Sequence, residues 1–326
     1  MRIVELFNEA ISYTGKIPAI KQAILHGILE SIHFLKEDRY LDVKERVNRQ
    51  VNLTILKAKV GPNLFTHLEH FISKKLSKLV SDEVLSPDLK ASIPVKFTDT
   101  GEDLGVAYSS EIDLSEMFID NLVTELLEML HEKTSDNMYS EDSIFEDFFL
   151  TAKNLTIQDI INYSSRRSGI NSTVNKMAST LVHEMVHIRQ HMPQLQKGRD
   201  DTEYRSYLDK TKGEFSQMHS KGYASLSPEE RKRFNTLYRS SPQEIAAFSH
   251  QAAWDVIRDY NLEDITDISE IPDNKVIFNY IYEYATQYYK KPENPAEQKV
   301  YQRYIKLIYQ EVDRYLDNLR AQLTKK

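Results

Sequence analysis

The apolar residues of the first ninety positions recur at helical spacing. Ile17, Ile20, Ile24, Ile28, Ile32 and Leu35 advance by threes and fours, which lays them along one helical face. Asn52 to Ala58 continue a helical pattern. Gly61-Pro62 interrupts it, and Leu64, Leu68, Phe71, Ile72, Leu76 and Leu79 open a second amphipathic stretch. The pattern changes near residue 91. Ile93 to Thr98 reads as a short strand, and Leu104 to Leu114 alternates loosely enough to predict a second one. Asp99-Thr100-Gly101 between them is turn chemistry.

Helical spacing resumes over Ser115 to His131, over Ile144 to Tyr163 in pieces, and over Ser172 to His191. A polar stretch without clear period, roughly Gln194 to Leu226, follows. Ser227-Pro228-Glu229-Glu230 has the form of a capping box with proline in the first turn, and Ser241-Pro242-Gln243-Glu244 repeats it. The second opens a helix to about Tyr260. Two further helices are expected beyond it, and nine of the nineteen tyrosines fall between Tyr280 and Tyr315. Half-buried helix packing is the ordinary use of such tyrosines. The expected fold class is therefore mainly α with a small β-sheet (α+β).

Composition narrows the chemistry. Cysteine is absent from the 326 residues, which excludes thiolate nucleophiles, disulfides and cysteine-held metal. Only nine glycines are present, which argues against turn-rich β-barrels and propellers. The formal charge is −7, so no broad nucleic-acid-binding face is expected. No apolar run of about eighteen residues exists, so no membrane span is expected. The opening MRIVELFNEA has no apolar core with a small-residue cleavage site, and a cytoplasmic protein is the simple expectation.

One constellation carries reactive chemistry. Residues 183–187 read His-Glu-Met-Val-His on an expected helix. Positions i and i+4 differ by ~40° around a helix and ~6 Å along it, so both imidazoles point one way. Two neutral imidazoles can then share one Zn²⁺. Glu184, offset by ~100° from His183, stands beside the ion. There it can take a proton from water that zinc has acidified.

The third ligand must come from elsewhere. His191 lies ~12 Å from His183 along a straight helix, too far to share an ion. The longer H-E-x-x-H-x-x-G-x-x-H pattern is absent, because its glycine position holds Gln190 and its last histidine position Pro193. Glu244, at the start of a second helix, can complete a His₂Glu site. It is also the N3 residue of a capping box with Ser241, where a glutamate can simply hold a backbone donor. Glu203 and Glu214 remain alternatives. For a donor to the developing oxyanion, Tyr238, His219, Tyr204, Tyr207 and Tyr223 are candidates.

The stretch from Thr180 to Gln190, with the later Tyr238 to Phe248 (YRSSPQEIAAF), resembles the gluzincin type of zincin metallopeptidase, in particular small members met in bacteria and tailed phages. The resemblance implies His183 and His187 as zinc ligands, Glu184 as general base and Glu244 as third ligand. It covers roughly residues 91–260. It implies a zincin-like core there, flanked by helical regions over 1–90 and 261–326 that it does not explain. If the chain is phage-encoded, the host cytoplasm is the implied location. Zincins place a small sheet before the active-site helix, and its edge strand pairs with extended substrate. Ala107 to Leu114 is the candidate edge, against a purely structural hairpin. The implied function is a zinc-dependent peptidase acting on peptide or protein substrates. The competing expectation is a catalytically silent structural or interaction protein that uses the same residues as a zinc clamp.

Overall fold

The structure is a computed structural model. It describes residues 14–35, 53–85, 92–101, 103–108, 110–136, 144–191, 214–222, 225–288 and 295–324. These are mostly helical with one small sheet, as the pattern of apolar positions predicts. Two compact units divide the chain, one over Ile17–Ile188 and one over Met1–Lys16 with Arg189–Lys326.

The first unit is built on an antiparallel-type helical seam. Helix α1 (Ile17–His33) buries Ile17, Ile20, Ile24, Ile28 and Ile32. After a short α2 (Leu53–Lys59), α3 (Gly61–Val84) starts with a proline in its first turn. Proline there lacks only an N–H that the helix would not use. Its buried row is Leu64, Leu68, Ile72, Leu76, Val80 and Val84, every fourth residue. Phe71 and Leu79, expected on this face, are half-buried beside it. At Gly27 the two helices come so close that a Cβ would stand 2.8 Å from Ile72 Cγ1 and 3.0 Å from its Cα.

The hydroxyls of Ser77 and Ser81 on α3 accept from the backbone N–H groups of Val95 and Ile93, at 2.8 and 2.9 Å. They fix the entry of β1 (Val95–Thr98). The stretch Leu104 to Leu114 is not one strand. It forms a hairpin of β2 (Gly105–Ala107) and β3 (Ile112–Ser115), closed where Tyr108 N donates to Glu111 O at 2.9 Å. The polar residues between Ala107 and Ile112 are turn formers, and they outweigh the loose alternation. Sheet order is β1-β3-β2, with β1 parallel and β2 antiparallel to β3. The expected edge, Ala107 to Leu114, is thereby corrected. Its C-terminal half is the central strand, and the edge on that side is β2.

Helix α4 (Met117–Asp136) follows, then α5 (Ile144–Asn154) and α6 (Ile157–Arg166). The break between the last two is a capping box on Thr156 and Asp159. Helix α7 (Ser168–His191) begins four residues before the expected start. From Thr173 to Ile188 every residue but Lys176 is buried, so it is enclosed on all sides.

The second unit contains α8 (Glu214–Lys221), α9 (Pro228–Ser240), α10 (Pro242–Asp259), α11 (Asn274–Tyr288) and α12 (Pro295–Leu323). Met218, Leu226 and Leu237 form a small core beneath α8 and α9. Helices α10 and α12 make the larger one, around Trp254, Ile257, Tyr304, Ile308 and Val312. Inside it His250 Nδ1 lies 3.2 Å from Glu311, which also takes Arg314 at 3.0 Å. Asn261, at φ 51, ends α10, and asparagine tolerates this left-handed conformation. Two C-terminal helices and packed tyrosines, with Tyr301 and Tyr304 buried, agree with the sequence expectation.

Candidate metal centre

The local sequence explains why α7 presents its chemistry with precision. Its first turn lies against the Glu125 carboxylate, close enough that a Cβ on Gly169 would stand 2.0 Å from the carboxyl carbon. A carboxylate is favoured at a helix N-terminus, where backbone N–H groups point outward. Met177, Leu181, Met185 and Ile188 then pack the helix on its apolar sides. This fixes the rotation of the turn that carries His183, Glu184 and His187.

The two imidazoles meet as the i, i+4 spacing predicts. Their Nε2 atoms are 3.1 Å apart and their ring planes are inclined at 72°. Two ligands on a tetrahedral Zn²⁺ at ~2.05 Å stand about 3.3 Å apart, so the pair is spaced as metal ligands are. Both rings are buried.

Helix α10 supplies the carboxylate. The local capping geometry settles what Glu244 does at its N-terminus. Ser241 Oγ accepts from Glu244 N at 3.2 Å, which is half of a capping box. The other half is not made by the glutamate: Ser241 N donates to Tyr238 O at 3.1 Å. By contrast, the box at Ser227 is complete, with both Ser227 and Glu230 bonding back. One ligand atom from each of His183, His187 and Glu244 lies within 4.8 Å of the others, and all three residues are buried. Two imidazole nitrogens and one carboxylate oxygen are a donor set that holds a divalent metal ion.

The alternatives fall away in different manners. Glu214 sits in the first turn of α8, in a two-pronged pair with Arg233 at 2.9 and 3.0 Å, which holds its carboxyl below the usual range. Glu203, Tyr204, Tyr207 and Tyr223 lie outside the described residues, as do the side chains of His191 and His219. Tyr238 lies near the end of α9. Its ring stacks on Phe234 at 6.1 Å and meets Phe248, one turn beyond Glu244, edge-on at 6.5 Å. Asp255 is occupied elsewhere on α10, accepting from Tyr284 Oη at 2.6 Å. Burial pushes its carboxyl up.

The general-base candidate, Glu184, is buried at 5% exposure. It faces β2: a Cβ placed on Gly105 would stand 3.1 Å from Glu184 Cγ and 3.2 Å from its Oε1. This neighbour had no sequence signal beyond an isolated glycine in a strand pattern.

Searches with the chain against protein-family models, curated proteins and solved structures return no match. The class that the site itself defines is a mainly helical α+β protein with a buried two-histidine, one-carboxylate group suited to a metal ion.

Proposed function

We propose that the chain is a zinc-dependent peptidase. The observation that carries this reading is the His183, His187 and Glu244 group with Glu184 on the same helix turn. Three protein donors are the ligand count of catalytic zinc sites, whereas closed structural sites take four, so a bound ion would have room for a water. A bound zinc ion supplies Lewis acidity: it lowers the pKa of water toward 7 and polarises a carbonyl.

The residues of the chain do the rest. His183, His187 and Glu244 would hold and orient the ion. Glu184 accepts a proton from the attacking water, whose oxygen forms a bond to the scissile carbonyl carbon. When the carbon–nitrogen bond breaks, Glu184 returns that proton to the leaving amine. One water is consumed and one acid and one amine are released. Tyr238 is the candidate donor to the developing oxyanion, since it belongs to the aromatic group packed around the first turns of α10.

The experiment is cleavage of an unfolded protein by the zinc-loaded chain, with Glu184→Gln as control. The substitution keeps shape and removes the base, so the rate is expected to fall at least a hundredfold, the lower range of general-base contributions. Equal rates in the two proteins contradict the reading.

A second reading has its own observation. All four residues are between 5% and 8% exposed, so little of the group meets solvent, as a closed structural site requires. In this reading the metal is a clamp, Glu184→Ala is silent and His183→Ala unfolds the chain.

A further inference from the structure

Glycine costs ~0.5–1 kcal/mol in a strand, so a chain that uses only nine needs a reason for placing one in β2. At three other described glycines the reason is visible. Gly101 and Gly222 take positive φ, at 68° and 77°, in turns. Gly27 lets two helices touch. Gly105 has no positive φ, and its backbone is ordinary strand paired with Leu114. Its requirement is space. A Cβ there would stand 2.8 Å from Thr180 Cγ2, 3.1 Å from Glu184 Cγ and 3.2 Å from Glu184 Oε1. Thr180 and Glu184 are i and i+4 on α7, so they flank one strip of its surface, and β2 lies on that strip.

We propose that Gly105 is a positioning residue for Glu184: its missing side chain lets β2 close onto α7 between Thr180 and Glu184 and sets where the carboxylate stands. This rests on the reading of Glu184 as the base. The two contacts respond differently to an added methyl. Thr180 is β-branched and has only two favoured χ1 positions in a helix, so it turns aside less freely than a long side chain. The Glu184 carboxylate is the far end of a flexible chain, so it rotates away, or β2 lifts from the helix. Either displaces the proton acceptor, and a displacement near 1 Å costs on the order of 10²-fold in rate. The three heavy atoms nearest to the added carbon all belong to Thr180 and Glu184, and none to His183, His187 or Glu244.

The test compares wild type, Gly105→Ala, Glu184→Gln and the double variant Gly105→Ala with Thr180→Ser, all loaded with zinc or cobalt(II). Cobalt gives a readout apart from turnover, because its visible bands respond to the carboxylate beside the ion. Gly105→Ala is expected to bind metal as wild type does, to lose ten- to a hundredfold in kcat with little change in KM, and to shift the cobalt bands toward those of Glu184→Gln. Thr180→Ser removes the nearest methyl and is expected to restore part of both. It also serves where the single variant folds poorly. Unchanged kcat and unchanged bands in Gly105→Ala overturn the proposal while leaving the peptidase reading intact. If wild type binds cobalt but cleaves nothing, the peptidase reading falls. The bands alone then decide: a shift keeps Gly105 as the positioner of Glu184, and no shift removes it. A wild-type chain that takes up no cobalt overturns both.

Discussion

His183 and His187 are each placed by a helix that has little freedom to turn. The same confinement lets single residues around them be tested one at a time. If the proposed site holds metal, replacing His187 with alanine removes one of its three donors, and metal affinity is expected to fall at least a hundredfold by equilibrium dialysis against a chelator. Asp159 illustrates the residue scale away from the site. Lys133 bonds to it and Thr156 adds to the effect, and together they hold its carboxyl at about 2, below the ordinary 3.8. A carboxylate with a depressed folded pKa stabilises above its unfolded value and loses that contribution as pH falls through the folded one. Unfolding followed between pH 4 and 2 is therefore expected to show a shallower loss of stability in Asp159→Asn than in wild type.

At the scale of elements, what was legible depended on period. The long helices were legible because one face meets a core: the isoleucine row of α1 is buried as its spacing predicts. The row on α3 keeps to a strict i+4 line that sets Ile72 against Gly27 of α1, and Phe71 and Leu79 are half-buried beside it. Gly27→Ala is expected to cost about 1–3 kcal/mol in denaturant unfolding, since the added carbon meets the Ile72 backbone as well as its side chain. The hairpin was less legible. Its strands are three and four residues long, too short for alternation to separate them from the turn that joins them. The role of Ser241-Pro242-Gln243-Glu244 was ambiguous for a different reason. Sequence fixes that position 244 can reach the Ser241 backbone, but only the bond from Ser241 N to Tyr238 O shows that this donor is already satisfied.

For the whole molecule, the mainly helical character with one small sheet follows from the apolar pattern and the scarcity of glycine. The absence of cysteine acquires a sharper meaning with the donor set in view. A metal in the His183, His187 and Glu244 group is held without thiolate, so thiol reagents are expected to leave its retention unchanged, as a colorimetric zinc-release assay checks. Among the described residues no helix is long and apolar enough to cross a membrane. The contribution of Gly105 was the least legible, because it depends on a strand and a helix about seventy-five positions apart coming into contact.

The most direct test is the zinc content of the purified chain after dialysis, measured for wild type, Glu184→Gln and Glu244→Ala. One zinc per chain is expected in wild type and in Glu184→Gln, and a marked loss in Glu244→Ala. A wild type without zinc, or a Glu244→Ala variant that retains it fully, contradicts a zinc site built on His183, His187 and Glu244.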